Sequence, residues 1–348
     1  MQYTELGSTG IKVSRICVGG MSFGEASERF HQWTLNQADT QKMIEHAYSL
    51  GVNFIDTANC YSFGTSEEYI GKSLKNLGIG RDKIVLASKV YFNEGKLSKA
   101  AILREIDGTL SRLGMDYLDL YQIHRFDYST PVEETMETLD SLVKAGKVRA
   151  IGASAMYGYQ FHNMQIAAEK NGWTKFSTMQ NHYNLLYRED ERELIPVCRQ
   201  YGVSLIPYSP LAGGHLAHKG WESGSRRSQT DKVIRDKYDS EMENNLEIIA
   251  KVAELAEKYS VTMTEIALAW HFKKGVASPI VGATSMAHFD DAVRAVDLKL
   301  SEDDAKTLES VYKPHKITGA LSEESGDKNF DRITAKNNKK PDTVSTFV

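Results

Sequence analysis

VGGMSFG, residues 18–24, follows the first β-rich run of the chain, and its spelling separates two architectures. An open dinucleotide-binding sheet needs GxGxxG at that place, so that the backbone turns tightly and a helix N-terminus meets a pyrophosphate. Gly19, Gly20 and Gly24 do not have that spacing. Seven more β-rich runs follow, at 53–57, 84–89, 117–123, 149–153, 177–181, 204–208 and 278–281, with helical stretches between them. Eight strand–helix repeats without that motif point to a closed (β/α)8 TIM barrel, an α/β fold, rather than a doubly wound sheet.

Working outward from that run, residues 2–14 hold two short extended segments around Gly7 and Gly10, the pattern of a β-hairpin placed to plug the barrel floor. Met43, Ala47 and Leu50 fall on one helical face, and so do Val132, Met136, Leu139 and Val143. The second helix carries its own punctuation: Thr130 as N-cap, Pro131 at the first position, Glu133 to complete a capping box and Gly146 as left-handed terminator. Two segments break the rhythm. A long polar stretch after the seventh strand, from Leu211 to about Asn245, contains Lys219, Arg226, Arg227, Lys232, Arg235 and Lys237, and is expected to be a mobile flap. Residues 1–318 read as a single barrel domain and 319–348 as a polar C-terminal tail, poor in aliphatic residues.

Composition narrows the function. Of 348 residues, 41% are hydrophobic and 25% charged, enough to bury a sizeable core. A formal charge of −4 argues against a general nucleic-acid binder. The start of the chain lacks a signal-peptide pattern and no run of 18 apolar residues occurs, so no membrane partner and a cytoplasmic location are expected. Cys17, Cys60 and Cys198 show neither a CxxC nor a paired-histidine spacing, so no metal site is expected.

In a barrel the chemistry sits at the C-terminal ends of the strands. The polar residues there are Asp56, Lys89, His124, Ser154, Gln180, Asn181 and Tyr208, with Tyr61 five residues beyond Asp56. Taken singly, each has an ordinary reading: a turn former, a solvated strand end, a rim histidine, a loop anchor. Together Asp56, Tyr61, Lys89 and His124 make an acid–base device. A phenol is a poor proton donor unless a cation favours its ionised form; Lys89 supplies the cation, and Asp56 the charge that keeps Lys89 protonated. His124 is then free to orient a carbonyl oxygen.

The ordered motifs GVNFIDTANCY (51–61), LASKV (86–90), LGMDYLDLYQIHR (113–125), KVRAIGAS (147–154), QNHYNLLYRE (180–189) and IPYSPLAGG (206–214) resemble the aldo-keto reductase superfamily. The resemblance runs to about Pro314, with YKPH at 312–315, and is nearest a bacterial branch similar to aryl-alcohol dehydrogenases and potassium-channel β subunits. It implies NAD(P)H-dependent reduction of a small aldehyde or ketone, with Tyr61 as general acid beside Asp56, Lys89 and His124. For the cofactor it implies Gly20, Met21 and Asp56 near the ring and Ser154 and Gln180 at the carboxamide. Tyr208 would stack on the nicotinamide, and Ser209, Pro210, Leu211 and Gly213 form the turn that meets the pyrophosphate. VGATSMAHFDDA (281–292) aligns with the segment that grips the adenosine phosphate, giving Gly282, Thr284, His288 and Asp291.

Two departures stand out. Ala155 replaces an asparagine that contacts the carboxamide in many relatives, and neither Gly282 nor His288 offers a permanent cation at neutral pH. The resemblance makes NADP the expected cofactor, its phosphate met by Thr284, Ser285 and backbone amides at the helix start or by a basic residue of 219–237 folding over it; NAD use stays open. Arg125 is a candidate for an anionic substrate group, as in a sugar phosphate. Phe23, Tyr91, Phe92, Phe126 and Tyr157 are candidates, with Met21, for an apolar substrate pocket. A redox-sensing regulatory subunit that holds the cofactor is the alternative to an enzyme; no protein partner is legible.

Overall fold

All eight anticipated runs are extended in the computed structural model, which describes residues 1–314 and 316–318. An antiparallel hairpin of β1 (Tyr3–Glu5) and β2 (Lys12–Ser14) precedes them. The barrel strands are β3 (Cys17–Gly19), β4 (Phe54–Asp56), β5 (Val85–Val90), β6 (Leu118–Ile123), β7 (Val148–Ser154), β8 (Thr178–Gln180), β9 (Ser204–Leu205) and β10 (Ile280–Val281). All pair in parallel, in the order β10-β3-β4-β5-β6-β7-β8-β9. The sheet curls until its two edges meet. Ala277 N–H donates to the Leu205 carbonyl and Ile280 N–H to that of Pro207, each at 2.9 Å, which joins β9 to β10 and completes the (β/α)8 ring.

Strands covered on both faces read as continuous apolar runs, and β5 and β6 are buried along their whole length. Phe54, Ala87, Leu120, Ala150 and Ile206 fill the interior together with Leu6 and Val13 of the hairpin. The hairpin thus closes the floor, pinned by Gly7 N–H to Ser204 Oγ (2.8 Å) and Ser14 N–H to Asn53 Oδ1 (2.7 Å). Val18, Ile55, Leu86, Tyr121, Ile151 and Met179 point the other way, into the layer shared with the helices.

The helical ring begins with α1 (Gln37–Ser49), α2 (Thr65–Asn76), α3 (Lys99–Leu113) and α4 (Val132–Lys144), and continues with α5 (Gly158–Asn171) and α6 (Leu194–Gln200). Met43 and Ala47 of α1 and Met136 and Leu139 of α4 are buried, as their spacing predicts. The predicted cap of α4 is not formed. Pro131, expected at the first helical position, takes the N-cap place itself, which leaves Thr130 outside the helix with its Oγ1 donating to Asp127 Oδ2 at 2.6 Å, a carboxylate that also gathers the amides of Leu97 and Ser129. Gly146 does take the left-handed conformation, with φ 74°.

The stretch expected as a mobile flap carries α7 (Arg226–Thr230) and α8 (Lys232–Tyr238) before α9 (Met242–Tyr259). Asp231 caps α8 through the amides of Val233 (3.2 Å) and Ile234 (3.4 Å), and Ile234 and Tyr238 are buried over the barrel mouth. α10 (Met263–Lys273), α11 (Met286–Ala295) and α12 (Glu302–Glu309) follow; His46 of α1 meets Asp290 of α11 at 2.8 Å. Among the described residues no helix is long and apolar enough to cross a membrane. The 319–348 tail lies outside the described residues.

Leu6 is fully buried in the floor. Leu6→Ala is expected to cost about 2–5 kcal/mol, the usual range for deleting a buried leucine. The checking measurement is the thermal midpoint, which drops by several degrees; an unchanged midpoint would show that the plug carries no stability.

Candidate active site

The C-terminal ends of β4, β5, β6, β7 and β8 converge beneath α8, and the polar residues of those ends meet there. Asp56 is the hub. Its Oδ1 accepts from Lys89 Nζ at 2.5 Å, and its Oδ2 from Gln122 Nε2 at 2.8 Å and Gln180 Nε2 at 3.0 Å. Lys89 Nζ also donates to the Thr57 carbonyl at 2.7 Å. Both charges are enclosed, Lys89 being 0% and Asp56 2% exposed. Burial works to strip Lys89 of its proton, but Asp56 and Tyr61 outweigh it and hold the ammonium well above the ordinary lysine range.

Lys89 Nζ stands 4.8 Å from the centre of the Tyr61 ring. Tyr61 is offered by a cramped turn in which Ser62 (φ 44°), Phe63 (φ 57°) and Gly64 (φ 95°) are all left-handed. Consecutive left-handed residues persist only where their surroundings over-determine them. Here Thr65 Oγ1 donates to the Ser62 carbonyl at 2.8 Å, Glu25 N–H holds Thr65 Oγ1 at 2.9 Å, and Ser66 Oγ bridges to the Gly20 carbonyl at 2.8 Å. The expectation of a phenol made acidic by Lys89 is corrected. Burial pushes the Tyr61 pKa up to about 12; the Lys89 charge and hydrogen bond only limit that rise. Tyr61 therefore keeps its proton, as a donor requires.

His124 is 6% exposed, edge-on to Tyr61 (5.8 Å between ring centres) and to Phe92 (5.0 Å). Burial first, then the charges of Lys89 and Arg125, depress its pKa well below the ordinary value, leaving a neutral ring with one N–H to offer. Cys60 Sγ lies 3.9 Å from His124 Nδ1, and burial pushes its pKa up to about 12, so it stays a thiol.

A cavity of about 610 Å³ opens over these groups, within the range of small-molecule sites. Gly20, Met21, Asp56, Tyr61, His124 and Arg125 line its inner part. Ser154 and Gln180 also line it: Ser154 Oγ donates to the Gln180 carbonyl at 2.7 Å, while the Gln180 amide nitrogen is held by Asp56 and by Gln122 Oε1 (3.2 Å), which leaves Gln180 Oε1 for a ligand. Tyr208 lines it as the end of a stack, parallel to His182 at 5.2 Å, which lies parallel to Tyr187 at 4.1 Å. His182 Nε2 is fixed by the Tyr238 hydroxyl of α8 at 2.7 Å. Beyond Tyr208 the turn of Ser209, Pro210, Leu211 and Gly213 borders the cavity, with Ser209 at φ 53° and Gly213 at φ 69°. A Cβ at Gly213 would stand 2.4 Å from Ile234 Cδ1, so glycine there lets α8 close down.

At the outer end lie Gly282, Thr284 and His288, opposite Arg226 and Arg227. The Arg227 guanidinium rests 4.3 Å over the Trp33 ring and pairs with Asp231 at 3.2 Å. Burial lowers the His288 pKa, which Asp291 partly counters, so His288 brings no cation at neutral pH. Ala155 lines the cavity with φ 43°, a left-handed position that asparagine tolerates better than alanine.

Some candidates are not brought to the site. Asp291 is ion-paired with Arg294 and does not border the cavity. Phe23 (0% exposed) and Tyr91 (1%) are core residues, and Phe126 packs edge-on to Tyr128 at 5.0 Å. Of the residues expected to form the apolar pocket, Met21 lines the cavity, and Phe23, Tyr91, Phe92, Phe126 and Tyr157 do not. Sequence reading missed Gln122 and Trp33, and named Lys237 only as one charge of the basic stretch. Gln122 had a signal, a lone uncharged amide inside the apolar run YLDLYQI; Trp33 arrives on a loop with no period to betray it, and Lys237 on the short helix α8.

The sequence matches the Aldo/keto reductase family over residues 15–313. It is 40% identical to versiconal hemiacetal acetate reductase of Aspergillus parasiticus, over 91% of this chain and 98% of that protein. It is 41% identical to a Schizosaccharomyces pombe protein provisionally named as an aryl-alcohol dehydrogenase, over 92% and 98% respectively. The curated relatives named here are fungal, not bacterial. A thermostable aldo-keto reductase, Tm1743, solved with the inhibitor epalrestat, superposes with a TM-score of 0.72 at 28% identity, covering 89% of this chain and all of that one.

If burial governs the phenol, the ultraviolet difference between the parent and Tyr61→Phe shows no tyrosinate below pH 10. Ionisation of Tyr61 in that range would reverse the balance of burial and Lys89.

Proposed function

The chain belongs to the aldo/keto reductase family of oxidoreductases, and from that premise we propose that it reduces aldehydes or ketones to alcohols with NADPH, Tyr61 donating the proton. The observation that carries the reading is the buried array of Asp56, Lys89 and Tyr61 at the base of a cavity that Tyr208 lines.

The cavity fits a dinucleotide in three respects. Tyr208 is a braced aromatic wall, the 209–213 turn presents left-handed backbone, and Ser154 with Gln180 Oε1 offers polar groups between them. On this reading Ser154 and Gln180 hold the carboxamide, Tyr208 the ring and Ser209, Pro210, Leu211 and Gly213 the pyrophosphate. Arg226 and Arg227, with Thr284, take the adenosine phosphate and supply the cation that Gly282 and His288 lack. When bound, the nicotinamide supplies a hydride to the carbonyl carbon.

The protein's part is the proton. Tyr61, protonated up to about pH 12, gives its hydrogen to the carbonyl oxygen as negative charge develops there. Lys89, held charged by Asp56, stabilises the phenolate left behind. Two unit charges about 4 Å apart attract by roughly 4 kcal/mol at an effective dielectric near 20, worth about three powers of ten in rate. His124, neutral, orients the oxygen with its N–H.

Tyr61→Phe is expected to lose about 10²- to 10⁴-fold in kcat while still quenching its fluorescence with NADPH. Parent-like turnover of 4-nitrobenzaldehyde by that variant would remove Tyr61 as the acid; no turnover of any aldehyde by the parent, with tight cofactor binding, would favour the regulatory-subunit reading. Arg227→Gln is expected to raise the NADPH dissociation constant about 10- to 100-fold, the worth of a charge-assisted hydrogen bond, and that of NADH less than about threefold. Parallel titrations decide it; equal weakening of both cofactors would detach Arg227 from the phosphate.

A further inference from the structure

Lys237, on the last turn of α8, is 5% exposed and borders the cavity. Among the described residues it makes no hydrogen bond or ion pair. Its ammonium lies 4.8 Å from the centre of the Tyr208 ring. Burial lowers its pKa to about 8, Arg125 and Arg227 pushing the same way and Asp231 opposing. Asp231 is already engaged by Arg227 and by the amides that begin α8.

Arg125 borders the same cavity at 2% exposure, its guanidinium 5.0 Å over the ring of Phe92, which is itself edge-on to His124. Two cations thus sit at the inner end of the cavity, one on the His124 side and one on the Tyr208 side. Arg227 and Trp33 stand at the other end, beside Gly282. Placing like charges together in a desolvated space is unfavourable unless an anion is shared between them. A ligand anion would supply what Lys237 lacks.

We propose that Lys237 and Arg125 form an anion subsite beside the reacting carbonyl, so that the preferred substrates are aldehydes or ketones bearing a carboxylate or a phosphate. The inference rests on the reductase reading and narrows it. A pyrophosphate held by the 209–213 turn is the competing occupant of Lys237, and the experiment separates the two.

The test compares kcat/KM for 4-carboxybenzaldehyde and for its methyl ester, at saturating NADPH, in the parent and in Lys237→Met, Arg125→Met and Lys237→Arg. Glyceraldehyde 3-phosphate against glyceraldehyde tells phosphate from carboxylate. The parent is expected to prefer one of the two anionic substrates over its neutral counterpart by about tenfold or more; each Met variant cuts that ratio by about 10- to 100-fold, and Lys237→Arg retains most of it. Calorimetry with 4-(hydroxymethyl)benzoate and with benzyl alcohol reads binding without turnover, and tighter binding of the acid by the parent than by Lys237→Met supports the subsite. Equal use of charged and neutral substrates by the parent would overturn it. So would an unchanged ratio in Lys237→Met accompanied by equal weakening of NADPH and NADH. If no aldehyde of either kind were reduced, the reductase reading would fail on its own, and the calorimetric comparison would still decide the subsite.

Discussion

The bond between Asp56 and Lys89 is the constraint around which the upper half of the barrel is arranged. Both charges are enclosed, and removing either partner alone would leave an unbalanced charge, at a cost of about 3–5 kcal/mol. Because both Asp56 oxygens are committed, to Lys89 on one side and to the amides of Gln122 and Gln180 on the other, strands β4, β5, β6 and β8 are tied at one level. That shared level sets Lys89 beside Tyr61 and Gln180 in the cavity wall. The same arrangement fixes protonation: Lys89 stays charged, His124 neutral and Tyr61 a phenol.

How the cavity closes is a separate matter, settled by α8. Tyr238 grips His182, Ile234 fits over the bare backbone of Gly213, and Asp231 joins the helix start to Arg227 and so to Trp33. One short helix therefore touches the aromatic wall, the left-handed turn and the outer rim together. Any displacement of α8 would loosen all three contacts at once.

Much of this was legible in the sequence. The barrel strands are buried on both faces, so their apolar runs stand out, and strand ends place Asp56, Lys89, Ser154 and Gln180 at one rim by simple counting. Tyr61 is different: it was named from its place in the loop five residues beyond Asp56, but its position depends on the left-handed turn at 62–64, which no propensity announces. Aromatic residues misled for a physical reason. Phe23 and Tyr91 neighbour strand ends in sequence, but large apolar rings are drawn into whatever volume lies under a loop, and here that volume is core. Thr130 misled because the helix starts one residue later than the capping pattern put it, with Pro131 at the N-cap. Lys237 was legible as one charge in a basic stretch; that it would be enclosed followed only once the stretch folded into α8.

The ring of strands has one weak joint. β9 and β10 are each two residues long, and they meet through the amides of Ala277 and Ile280 rather than through a regular ladder. The turn that follows β9 and the segment that follows β10 stand on opposite sides of this seam, and on the proposed reading they take the middle and one end of one elongated ligand. Such a molecule would rivet the barrel across this short-stranded line, so loading the site and tightening the scaffold become a single event, and heat resistance rises with the ratio of its concentration to its dissociation constant.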